Sequence, residues 1–106
     1  MNNPLQVLEG KNIYLSQEGG VLSLLSQDGW SLIIYNCTKL LSSTGEEIFS
    51  SIGDTKTVAS TDLSEKFIFI NFDDGSSLRV DLSLDAYTGP EAMQLAGPNG
   101  EIIIWS

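Results

Sequence analysis

Three short turns fix the fold class of this chain before any other property is considered. Asp28-Gly29, Asp74-Gly75 and Asn99-Gly100 each separate two apolar runs, and such dipeptides between strand-like segments are the strongest short-range hairpin signal. Glycine enters the positive-φ region without steric cost, and Asp and Asn tolerate it better than other residues. The turns predict hairpins joining Val21–Leu25 to Trp30–Asn36, Phe67–Phe72 to Leu78–Leu84, and Ala92–Leu95 to Glu101–Trp105.

The flanking segments carry the matching periodicity. Leu78, Val80, Leu82 and Leu84 alternate with Ser77, Arg79, Asp81, Ser83 and Asp85, a period of two that places the aliphatic set on a core face. Phe67–Ile70 and Ile102–Trp105 are instead apolar at consecutive positions, a pattern expected of strands covered on both faces. The fold class is therefore mainly β: antiparallel sheets from repeated hairpins, as a sandwich or an open barrel, with at most one or two short helices. The first two Asp-Gly turns lie 46 residues apart, and Leu32 and Ile34 then align with Leu78 and Val80. This spacing predicts, within a single domain, an internal repeat over about 8–36 and 52–82. It would make a pair of three-stranded meanders face to face, closed by a C-terminal hairpin at 91–105. One helix is expected over Gly45–Ile52, with Thr44 as N-cap and Glu47 completing a capping box. Gly89-Pro90-Glu91 is read as a turn.

Charge restricts the partners. Fourteen Asp and Glu oppose five Lys and Arg in 106 residues, a formal net charge of −9. Nucleic acid and anionic membranes both need clustered cations to displace counterions, so neither is an expected partner. A basic protein is, because complementary fields accelerate encounter. Acidity of this kind also simply keeps a small protein soluble. The first residues carry no basic stretch or apolar run of a signal peptide, Cys37 is the lone cysteine, and no segment approaches the length of a membrane span. The expectation is a cytoplasmic protein.

The residue types needed for catalysis are sparse. The chain has no histidine, which removes the commonest general base and zinc ligand. Cys37 follows an apolar run, and the expectation is an inert buried thiol. Asp73-Asp74-Gly75 lacks the alternating oxygen ligands of a calcium loop. No metal or other cofactor is expected. Asp81 and Asp85 on one strand face would stand about 13 Å apart, beyond the spacing of a glycosidase pair. A carboxylate hydrolase rests only on the abundance of acids, and the expectation is a non-enzyme. Acids and a tyrosine interleave instead at Asp81, Asp85, Tyr87 and Glu91, the first choice for a partner-binding surface. Glu46, Glu47 and Asp54 are the second. Trp30 and Trp105 are assigned to the core.

The Phe72-Asp73-Asp74-Gly75 unit and the ending Gly89-Pro90-Glu91-Ala92 with Gly97-Pro98-Asn99-Gly100-Glu101-Ile102-Ile103-Ile104-Trp105 resemble small bacterial immunity proteins. These are encoded with contact-dependent growth-inhibition or polymorphic toxins, and the resemblance extends over most of residues 8–105. It implies a cytoplasmic antitoxin that binds one cognate toxin, commonly a nuclease, and covers its active site. It assigns no contact residues, since such families keep the scaffold and vary the surface. A nuclease is basic around its phosphate-binding cleft, and carboxylates can stand in for the phosphates it expects. The alternative reading is a non-catalytic β adaptor or assembly subunit that binds another protein through a sheet edge.

Overall fold

The computed structural model describes residues 3–48, 53–83, 85 and 91–105. A 3-10 helix, Pro4–Leu8, precedes nine strands: β1 Asn12–Glu18, β2 Val21–Ser26, β3 Ser31–Ile34, β4 Thr38–Leu41, β5 Thr55–Leu63, β6 Phe67–Phe72, β7 Ser77–Asp81, β8 Met93–Ala96 and β9 Ile102–Trp105. They form one open antiparallel sheet in the order β4-β7-β6-β5-β1-β2-β3-β8-β9. The chain is mainly β, as the turn signals require.

All three glycine turns close hairpins, and they do so in the same way. Gly29 N–H donates to the Ser26 carbonyl while Ser26 N–H donates to the Trp30 carbonyl; Gly75, Phe72 and Ser76 repeat the pattern, and so do Gly100, Gly97 and Glu101. Each is a three-residue loop whose last residue is a glycine at positive φ: +100° at Gly29, +90° at Gly75 and +87° at Gly100. Lysines clamp two of these turns, Lys11 from just before β1 and Lys56 from β5. Lys11 Nζ lies 2.5 Å from Asp28 Oδ2, and Lys56 Nζ lies 2.5 Å from Asp74 Oδ2.

Two meanders, β1-β2-β3 and β5-β6-β7, are joined through the β1–β5 pair, where Asn12 faces Thr57 and Tyr14 faces Thr55. The next strand after each meander crosses to the other: β4 follows β3 but pairs with β7, and β8 follows β7 but pairs with β3. Buried Asn36 holds both crossovers. Its Nδ2 donates to the Asp81 carbonyl at 2.8 Å, and its backbone N–H donates to the Ala92 carbonyl at 3.1 Å.

A flat sheet of nine strands at about 4.8 Å spacing would be roughly 38 Å wide. The whole molecule measures 33 × 33 × 31 Å, so the sheet curls. Its concave face encloses one core, with Leu15, Leu24, Leu32, Ile34, Met93 and Leu95 from one half and Ile68, Ile70, Phe72, Leu78 and Val80 from the other. Leu5 and Leu8 of the 3-10 helix are fully buried in it. Along β5, Val58 and Thr61 both face inward although three apart, because a bulge between Val58 and Ser60 shifts the register.

Three expectations are corrected. Residues 45–48 of the expected helix Gly45–Ile52 are a backbone return. Ser42 N–H donates to the Glu46 carbonyl, Ile48 N–H donates to the Leu40 carbonyl, and Glu47 bridges Leu41. The unpaired edge of β4 captures these groups, which outweighs a capping signal too short to hold a helix by itself. The rest of that segment lies outside the described residues. The strand expected to run to Leu84 ends at Asp81, whose carboxylate accepts the Ser83 N–H at 2.8 Å and turns the chain. Finally, Ile102–Trp105 is not covered on both faces. It is the last strand of the sheet, with Ile102, Ile103 and Ile104 exposed to 61%, 37% and 49%.

Candidate functional site

The acids singled out from the sequence fall into two groups at opposite ends of the β4–β7 pair. Asn36 gathers the first. It contacts the Asp81 carbonyl and the carbonyl of Ala92, which follows half-buried Glu91. Exposed Asp85 lies between them in the chain. Because the strand stops at Asp81, Asp85 does not share its strand face. Tyr87 lies outside the described residues. The Ser83 backbone N–H, with its hydroxyl, holds the Asp81 carboxyl below the usual carboxylate range, and nearby Arg79 and Lys39 act in the same direction. Asp81 is thus an anion at any physiological pH.

The second group is at the far end. Exposed Glu46 and Glu47 sit on the return beside Leu41, which faces Ser77, four residues before Asp81. That is about 13 Å along the strand. Glu47 lies 4.0 Å from Lys39 and lines a pocket of about 180 Å³ with Leu15, Gln17, Leu22 and Leu40. Exposed Asp54 joins this end, because its carbonyl accepts the Leu15 N–H. The described positions among the seven therefore do not form one patch. Among the described residues no group of acids and cysteine could hold a metal ion.

Cations are largely occupied. Among the described residues, Lys11, Lys39 and Lys56 form ion pairs, and the Arg79 guanidinium lies 4.9 Å from the Phe67 ring centroid. The Lys56 ammonium, aided by the Ser76 hydroxyl and N–H, holds the Asp74 carboxyl far below its usual range, and Lys11 with Ser26 lowers that of Asp28. These acids are committed to turns. Cys37, expected to be buried, is exposed: β3 ends at Ile34, and it is Asn36 that turns inward.

Sequence reasoning missed how unevenly charge is distributed. On the convex face of β1, β2, β3, β8 and β9 the outward positions include Tyr14, Ser16, Ser23, Leu25, Ser31, Ile33, Gln94, Ala96, Ile102 and Ile104. Of the strand residues on this face, Glu18, at the tip of the β1–β2 hairpin, is the only charged one. The convex face of the other half carries Lys39, Asp62, Arg79 and Asp81. The run Ile102-Ile103-Ile104 was the available signal, misread as a buried strand.

Fold and surface together define a curled, open β sheet with two groups of acids at strand ends and one broad face on which Glu18 is the only charged strand residue. Comparison with protein-family models, curated proteins and solved structures gives no match.

Proposed function

We propose that this protein is an immunity protein that binds and neutralises a cognate toxin, a basic nuclease domain, by covering its active site with an acidic surface. The observation that carries the reading is the gathering of Asp81 and Glu91 at one crossover by Asn36. Lys11 and Lys56 are drawn into turn clamps and Lys39 pairs with Glu47, whereas Asp81, Asp85 and Glu91, near one crossover, form no ion pair among the described residues. Arg79 and Lys39 act on Asp81 from a longer range, and Lys66 lies beside it in the fold. A basic cleft would meet the carboxylates of a chain of net charge −9 there, with Asp81 already ionised and held by the Ser83 N–H. Such a surface acts chiefly on association rate and partner choice.

The test is co-expression with the protein encoded by the adjacent upstream gene, followed by binding kinetics of the purified pair. One-to-one binding is expected, with association slowed roughly tenfold or more between low and high salt. Asp81→Asn with Glu91→Gln should slow association further than Glu46→Gln with Glu47→Gln. Cells left unprotected, or association indifferent to salt, would refute the proposal.

A further inference from the structure

A second copy of this chain is the occupant that the open edge of β9 fits best: we infer that two molecules pair β9 against β9, antiparallel about a two-fold axis at Ile103. The two ends of the sheet are not equivalent. β4 has its outer edge partly closed by the return through Glu46 and Ile48. β9 pairs with β8 on one side, and no described strand lies on the other. Native proteins usually blunt such an edge with charge, proline or a bulge. Ile102-Ile103-Ile104 carries none of these on the open side.

The hydrogen-bond parity of β9 identifies which groups are free. Gly97 N–H donates to the Glu101 carbonyl, in the same register that places Leu95 opposite Ile103 and Met93 opposite Trp105. Residues 101, 103 and 105 therefore direct their backbone groups toward β8, and Ile102 and Ile104 direct theirs outward. A two-fold axis at Ile103 sets Ile102 of one molecule against Ile104 of the other. Each such pair exchanges two N–H to carbonyl bonds, and the axis generates the pair twice. The free groups are complementary to themselves, as an isologous contact requires.

Charge selects the same occupant. Two chains of −9 repel wherever acidic surfaces meet. On this edge Ile102 and Ile104 project from the uncharged convex face beside Gln94 and Ala96. Glu101 is drawn back onto its own turn, accepting the Asn99 N–H at 2.8 Å. In the proposed register it falls opposite Trp105 of the second copy, and among the described residues the acid nearest that position is Glu65, which shares a pocket with Trp105. Screening of the two is part of the expected salt dependence. A strongly basic partner would find no carboxylate along Ile102–Ile104 to reward it. The contact is short, well under the 1,200 Å² of a tight complex, so the dimer is weak, with a Kd on the order of 100 µM.

Sedimentation equilibrium of the full chain, across concentration and at two salt levels, tests this. A reversible dimer of the 11.5 kDa chain is expected, and it should strengthen with salt as repulsion between the two acidic molecules is screened. Amide exchange at Ile102 and Ile104 should be fast in dilute solution and at least tenfold slower where the dimer predominates. Ile104→Pro removes an outward donor without touching the β8 ladder and should leave a folded monomer. Ile104→Lys should do likewise and is the variant to read if the proline variant does not fold. Leu25→Lys, on the same face but away from the edge, should still dimerise. A chain that is monomeric at millimolar concentration overturns the inference. So does a dimer lost in Leu25→Lys but kept in Ile104→Lys, which would indicate face-to-face packing, and so does a different protein seated on β9 with no self-association.

Discussion

Gly97→Ala isolates one steric contact on which the placement of the last hairpin depends. A Cβ at Gly97 would sit 2.8 Å from two carbons of the Trp30 indole, Cη2 and Cζ3, and 2.9 Å from Glu101 Cδ. Ordinary carbon contacts lie near 3.5–4.0 Å, so either the ring or the strand must move. Glu101 can swing aside at little cost. Trp30 cannot easily do so, because it packs against the core and follows Gly29, whose own Cβ position is closed by Pro98 at 2.8 Å. Gly97, unlike Gly29, is not at positive φ, so alanine brings no backbone strain and the effect is purely one of packing. Overpacking of this kind costs about 1–3 kcal/mol. At about 4–8 °C per kcal/mol for a chain of this size, the melting temperature should fall by roughly 4–24 °C. Thermal unfolding followed by circular dichroism measures the fall, and Trp30 emission should shift as the ring is displaced. Trp30→Phe in the Gly97→Ala background should recover part of the loss, a coupling expected only for residues in contact. An unchanged melting temperature, or strictly additive effects in the double variant, would refute the reasoning.

Two further outcomes follow from the crossover and the turns. Asn36→Ala removes the donor to the Asp81 carbonyl and should lower stability by about 1 kcal/mol, near the low end for a lost buried partner, because Asn36 Oδ1 itself has no partner among the described residues. Asn36→Asp should be worse, since a carboxylate cannot donate; a urea midpoint equal to wild type would contradict the donor role. In acid, Asp28, Asp74 and Asp81 have folded-state affinities for protons below their ordinary values, so the unfolded chain takes up protons first. Their stabilisation is present above about pH 4 and is lost as pH falls through the folded-state values. Urea unfolding between pH 6 and pH 2 should show this, with a shallower decline in Lys56→Met, where Asp74 has lost the main cause of its shift. An equally steep decline in that variant would remove the clamp from the explanation.

Local features of the fold were legible, and long-range ones were not. Asp28-Gly29, Asp74-Gly75 and Asn99-Gly100 announced their hairpins because positive φ is demanded within the turn itself. The alternation at Leu78 and Val80 matched the buried positions of β7 because one face of that strand meets the core. By contrast, β4 is four residues long and has no turn signal of its own; its pairing with β7 depends on a crossover. Thr44 and Glu47 mimicked a helix start because capping chemistry is local, while the edge of β4 that overrode it comes from tertiary structure. What brings Asp81 and Glu91 to one crossover is Asn36, a buried amide that no periodicity exposes. Ile102-Ile103-Ile104 shows the converse limit. An apolar run reports that something should cover it, and the sequence cannot say whether that cover belongs to the same chain.

That distinction bears on how one small chain could serve two contacts. The exchange of β4 and β8 between the meanders leaves the acids near Asn36 and those near Glu47 at the ends of strands, away from the outward side chains of Ile102 and Ile104. Pairing through β9 would extend the sheet sideways and leave both acidic groups uncovered. The two proposed associations would then respond to salt in opposite directions. An acidic surface meeting a basic cleft gains from the unscreened field, whereas two chains of −9 meeting at an uncharged edge are opposed by it. A net charge that looks uniform in composition is, in the folded molecule, a partition: acids and cations share one half of the convex surface and the strand ends, while the half beside β9 carries Glu18 as its one charged strand residue.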